Sequence, residues 1–164
     1  MGNYRNVEID FIERTLELIS QYEGLLYRFK FDKQFNYTLL TNCLLGIIVF
    51  PKEKAISFLP KDRITEKLRV TMGINESTIN KDYVDLQSFV YALRNSIAHF
   101  NIEFESQNEE FLIDRIVFND YQKAAGHVVA SFVPVELLSF IRYYGSWFVS
   151  NARKYRKDIY EAPS

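Results

Sequence analysis

YVDLQSFVYALRNSIAHFNIEFE, residues 83–105, carries two periods in succession. Tyr83, Leu86, Val90, Leu93 and Ile97 recur at steps of three and four, the stripe of a helix with one buried side. From Phe100 onward, apolar and polar residues alternate through Asn101, Ile102, Glu103, Phe104 and Glu105, the pattern of a half-buried strand. The spacing predicts a helix that starts near Asn80 or Asp82 and runs directly into a strand. At about 100° per residue, Asn95 and His99 leave this helix opposite the stripe, on the side that also carries Ser88, Tyr91 and Ala92. That second side, with Ser88, Ala92, Asn95 and Ser96, is small or polar and lacks the usual lysine and glutamate dressing. It reads as the lining of a groove or of a subunit contact. Arg94 stands on the shoulder between the two sides, and its long side chain can bend either way.

Outward from this stretch the chain reads as mainly helical. A first helix is expected over about Val7 to Phe29. Ile12, Leu16, Ile19 and Leu26 form one apolar stripe beside a second of Phe11, Leu18, Tyr22, Leu25 and Phe29. So wide an apolar arc predicts cover on more than one side, with Gly24 marking a kink or a close crossing. A second helix, Asn36 to Phe50, is apolar almost all round through Leu39, Leu40, Cys43, Leu44, Ile47 and Ile48, as a central helix should be. Pro51 ends it. A lysine-rich connection, Pro51 to Pro60, leads to a short helix capped by Asp62 and stopped by Gly73. Asn75 to Asp82 reads as a polar, mobile loop that could lie near the groove. After residue 105, Phe111 to Phe118 and His127 to Val133 predict two more strands, giving a small antiparallel meander. Pro134 opens a last helix with Leu137, Leu138, Ile141, Tyr144 and Phe148 on its packed side. The expected architecture is an antiparallel helical bundle with this meander set between the Leu93 helix and the C-terminal helix, all in one domain, 1–164.

Composition narrows the function classes. Apolar residues at 48% and aromatics at 16% exclude a disordered chain. So heavy an aromatic load predicts some burial between subunits. A net charge of −1 argues against a general nucleic-acid coater, which uses a broad basic surface. RNA, if handled, would need a localised basic site. Cys43 is a single cysteine, so one chain can form no disulfide and no cysteine-based zinc site. It reads as a buried thiol in a cytoplasmic protein. Met1 to Asp10 is too polar for a signal peptide, and the longest apolar run, Leu39 to Phe50, is too short to span a bilayer. The acidic residues show no metal-ligand spacing, no glycine-rich phosphate loop is present, and no cofactor is expected. His127 reads as a structural histidine at a strand start.

Arg94–His99 holds residue types that could carry phosphodiester cleavage. Cutting RNA without a metal requires a proton to leave the 2′-hydroxyl, another to reach the departing 5′-oxygen, and the charge of the phosphorane to be neutralised. Histidine as a residue type can serve either proton role near neutral pH. Arginine presents a fixed fork of donors to phosphate. Arg94 and His99 are five residues apart, so their directions differ by about 140° on one helix. Two such helices meeting at one groove would bring the pairs together. Asn95 and His99, four apart, share a side, so Asn95 can orient the imidazole or touch substrate. Spacing of this kind is also common by chance, and a histidine at a helix end is ordinary. At the chain's end, Arg153, Lys154, Arg156 and Lys157 surround one tyrosine. They read as a solvated helix end or, more sharply, as an RNA-backbone contact.

Arg94-Asn95-Ser96-Ile97-Ala98-His99 resembles the Arg-polar-x-x-x-His signature of the HEPN superfamily. The run on to Ile102 looks like small plasmid- and prophage-encoded bacterial members, in which the motif enters a strand directly. The resemblance implies a homodimer whose motifs face each other across a cleft. It also implies metal-independent endoribonuclease activity, often as a toxin or phage-defence effector, with an antitoxin or other regulator as partner. By that likeness Arg94 would hold the scissile phosphate, His99 would act as acid and base, and Asn95 would orient it. The products would be a 2′,3′-cyclic phosphate or 3′-phosphate and a 5′-hydroxyl. Some such toxins carry a tyrosine two residues after the histidine, where a nucleotidyltransferase antitoxin modifies it. Asn101 stands there instead, which argues against that mode of control. Two rival readings remain at this point: a non-catalytic module that binds RNA, nucleotide or protein, and a structural helical domain in which the run is incidental.

Overall fold

A computed structural model describes residues 3–51, 59–107, 112–120, 122–123 and 126–154, residue 32 by its backbone alone. The first helix, α1, spans Val7–Leu25, and the Asn6 side chain caps it by accepting from the Ile9 amide at 3.1 Å. It ends in a tight turn, Leu26–Arg28, rather than continuing to Phe29. Of its two predicted stripes, Ile12 and Ile19 of the first are buried, whereas the second is covered only in part: Phe11 and Tyr22 are half-buried and Leu18, Leu25 and Phe29 are exposed. The last helix, α5 (Pro134–Lys154), lies along the side of Ile12 and Leu16. Arg153 pairs with Glu13 at 2.6 Å and Arg142 pairs with Glu23, so the two helices run antiparallel. The close crossing falls at Gly145, where a Cβ would sit 3.2 Å from a Leu16 methyl. Gly24 has open space around it.

The second helix, α2, covers Asn36–Leu44 and widens into a π turn over Leu45–Val49, closed by Phe50 N–H donating to Leu45 O at 3.0 Å. Single π turns inside helices are uncommon, and one end of this element packs against the Leu86–Ala98 helix. Gly46 makes room for the first helix: a Cβ there would meet Phe11 Cε1 at 2.7 Å. The Phe11 ring stacks on Phe50 with centroids 4.8 Å apart. Cys43 is buried, as its apolar surroundings predict.

A short helix, α3 (Glu66–Thr71), is capped by Thr65 and not by Asp62. The chain before it is instead held extended, with the Ile64 amide donating to Val84 O at 2.8 Å and Arg63 bridged to Asp85. The stretch expected to be a mobile loop contains strand β1, Thr78–Ile79. The carboxylate of Glu136 accepts from the amides of Asn75, Glu76 and Ser77 at 2.7–3.1 Å, which pins that segment to the start of α5.

The Leu93 helix, α4, runs Leu86–Ala98 with Asp85 as cap, later than Asn80 or Asp82. The Asn80 side chain explains the delay, because it accepts from the Asp82 amide at 3.1 Å and folds the chain into a turn first. Strands β2 (Ile102–Glu105), β3 (Arg115–Asn119) and β4 (Val128–Phe132) form the expected meander, and β1 adds to its far edge in the order β1-β4-β3-β2. Every pairing is antiparallel. One side of the sheet receives α4. Phe89, Phe132 and Phe140 meet there with centroids 5.6–6.5 Å apart, and Phe118 meets Phe132 edge-on at 6.0 Å. The protein is therefore mainly helical, with a small antiparallel sheet against the motif helix.

Candidate active site on the motif helix

The buried stripe of α4 sets where its other residues face. Leu86, Phe89, Val90, Leu93 and Ile97 are all buried. Ser96, expected on the groove side, is buried as well: its hydroxyl donates to Asn119 O on β3 at 2.8 Å. His99 is the residue that ends the helix, and it is exposed. Beyond it the chain closes in the paired hydrogen bonds of a left-handed helix stop. Phe100 N–H donates to Ile97 O at 3.1 Å, and Asn101 N–H donates to Ser96 O at 2.8 Å. Phe100 occupies the left-handed position at φ 55°. The Asn119 amide then donates to Asn101 O at 2.9 Å, so the helix end, β2 and β3 are tied together around His99.

Arg94 takes the inward bend. It is half-buried, and its Nε lies shielded from solvent with no hydrogen-bond partner among the described residues. Its charge is felt at the buried phenol of Tyr144 on α5. Burial pushes that hydroxyl well above the ordinary tyrosine range, and the nearby guanidinium opposes the rise. No carboxylate pairs with Arg94 among the described residues. Nor does any described hydrogen bond join Arg94 or the Asn95 side chain to His99, whose link to Asn95 is through the backbone, His99 N–H to Asn95 O at 3.1 Å.

Asn95 instead lines a groove of about 850 Å³ together with Ser88, Tyr91 and Ala92, the side of α4 that the sequence singles out. The facing wall contains Lys61, Tyr83, Asp120 and Lys123. Tyr83 donates to Asp120 Oδ2 at 3.2 Å, with the Lys123 ammonium 4.3 Å from the ring centre. Burial, and then the Asp120 carboxylate, push the Tyr83 phenol up to about 12. Arg94 and His99 lie outside this groove. The facing wall was not legible in the sequence, because its residues come from segments far apart in the chain. His127 lies behind it, its Nε2 shielded and 3.8 Å from Asp82 Oδ2.

Of the basic tail, Lys154 is exposed and Arg153 is engaged with Glu13; Arg156 and Lys157 lie outside the described residues. Pairing with Glu13 removes Arg153 from the set of unopposed cations. No described helix is long and apolar enough to cross a membrane.

No curated protein and no solved structure matches the chain. A family model described as HEPN pEK499 p136 matches residues 1–155. That span includes the helical bundle, the sheet and the whole Arg94–His99 run, and the chain belongs to the HEPN pEK499 p136 family.

Proposed function

We propose that this protein is a metal-independent endoribonuclease that works as a homodimer, with Arg94 and His99 of both protomers facing one cleft. The observation that carries the reading is an arginine unopposed among the described residues, on the same helix as the exposed histidine that ends it. No carboxylate among the described residues neutralises this guanidinium, so its charge is available to an anion. A scissile phosphate is such a group.

In the reaction, one imidazole takes the proton of the 2′-hydroxyl as its oxygen attacks phosphorus. The Arg94 guanidinium stabilises the phosphorane, and the twin imidazole protonates the departing 5′-oxygen. The P–O5′ bond breaks, leaving a 2′,3′-cyclic phosphate and a 5′-hydroxyl. One step removes a proton while the other adds one, and a pair of imidazoles can fill both roles at once. In this reading the second imidazole comes from the His99 of the twin protomer. The cellular setting this reading fits is that of a toxin or phage-defence effector.

The test is cleavage of mixed-sequence RNA in excess chelator by wild type, R94A and H99A. Dimeric wild type should release cyclic-phosphate ends, and each variant should lose at least about 100-fold in rate with its fold and dimer intact. Full activity in either variant, or dependence on a divalent ion, rejects the proposal. RNA bound tightly but never cut identifies a binding module instead.

A further inference from the structure

The residue after His99 is an aromatic in a conformation that aromatics avoid. Phe100 sits at φ 55° and is 65% exposed. The left-handed helix stop it occupies is a position where glycine is favoured, since any Cβ there crowds the backbone. The backbone hydrogen bonds of the helix stop hold this conformation, while most of the side chain stays open to solvent. Strain of this kind, when the surroundings maintain it, gathers at functional sites.

The ring's setting indicates what it serves. Its neighbours in sequence are the exposed His99 and the half-buried Asn101, and no ring or cation contact holds it among the described residues. An exposed aromatic next in the chain to the proposed acid–base histidine suits a stacking platform for single-stranded bases, since each base offers a π face of the right size. The hydrogen bonds from Phe100 N–H to Ile97 O and from Asn101 N–H to Ser96 O hold the backbone of Phe100 at the helix end, one residue from His99. We infer that Phe100 is a substrate-positioning residue, stacking a base next to the phosphate that His99 acts upon. This assignment rests on the ribonuclease reading for the chemistry but not for the binding.

The experiment uses full-length wild type, F100G and F100Y. Each is titrated against a fluorescein-labelled, fully 2′-O-methylated single-stranded RNA of mixed sequence, which cannot be cut. Each is then assayed for cleavage of the unmodified strand, for thermal unfolding and for dimer mass. F100G relieves the left-handed strain, so its Tm should rise by roughly 2–4 °C. Its Kd for the methylated strand should nevertheless weaken by about 5- to 150-fold, with the cleavage loss carried by KM. F100Y should bind and cut as the wild type does, whereas a merely structural Phe100 would couple binding loss to lost stability. F100G binding RNA as tightly as wild type overturns the inference. Dissociation of F100G into monomers overturns it too, since the ring would then be a subunit contact. Phe100-dependent binding without any cleavage by wild type rejects the ribonuclease reading and leaves the stacking role standing. Failure of wild type to bind the strand at all rejects the stacking role.

Discussion

The hydroxyl of Ser96 donates to the carbonyl of Asn119 at 2.8 Å, twenty-three residues further along the chain. It also lies 3.1 Å from Ala92 O, but a hydroxyl has one hydrogen, and the shorter contact is the tertiary one. Asn119 is buried, and its side-chain amide donates to Glu103 on β2 at 2.7 Å. One serine in the middle of the motif therefore fastens the end of α4 to the sheet, and with it the position of His99. S96A would leave the Asn119 carbonyl without this donor in a dry setting. It should cost about 1–3 kcal/mol in urea denaturation. A loss below about 0.5 kcal/mol would show that the bond is replaceable.

Glu136 makes a pH-dependent tie. Burial alone would raise its pKa. The Ser77 hydroxyl and the amides of Asn75, Glu76 and Ser77 outweigh that and lower it from 4.5 to about 2. A carboxylate whose folded pKa lies below its unfolded value stabilises the fold above about pH 4.5. That stabilisation disappears as pH falls towards about 2. The shift corresponds to about 3 kcal/mol at neutral pH. E136Q should lose most of that at pH 7 and should flatten the acid limb of a Tm-against-pH profile between those limits. An unchanged acid limb would mean that the 75–77 amides are satisfied without the charge.

Two glycines should respond in opposite directions to alanine. At Gly46 the new Cβ would lie 2.7 Å from the Phe11 ring, which is stacked on Phe50. G46A should therefore destabilise by about 1–3 kcal/mol through overpacking. At Gly24, near the exposed end of α1, a Cβ meets nothing within 4 Å. G24A should stabilise by about 0.5–1 kcal/mol, because alanine is the better helix former and restricts the unfolded chain. Paired thermal melts of the two variants check both signs.

Cys43 offers a readout of opening. Burial pushes its thiol up to about 11, so at pH 8 it is neither ionised nor accessible. A thiol reagent should label native protein only at the rate of local or global unfolding and should label fully in denaturant. Rapid labelling of the native protein would place Cys43 in an open position and contradict its burial against α2's neighbours.

The aromatic load divides unevenly. Phe89, Phe118, Phe132, Phe140 and Tyr144 build the centre, while Tyr27, Phe31, Phe35 and Phe100 remain outside. The second stripe of α1 belongs to the outer group in part, and periodicity cannot reveal that. Leu18 and Leu25 sit at helical spacing as regular as that of Ile12 and Ile19. Only α5 lying along one side and not the other separates them.

Local spacing was enough to indicate the five helices, the three-strand meander and the outward direction of Asn95 and His99, because these follow from the angular step along one element. It could also mark Arg94 as free to bend. What needed the folded chain was everything that joins distant segments. That includes Ser96 turned from groove to core by a carbonyl on β3, and Asn75–Ser77 held by a carboxylate on α5. It also includes Arg94 drawn towards Tyr144 and the groove wall opposite Asn95. Each of these depends on a hydrogen-bond or charge partner tens of residues away, and a one-dimensional pattern carries no information about which distant group will arrive.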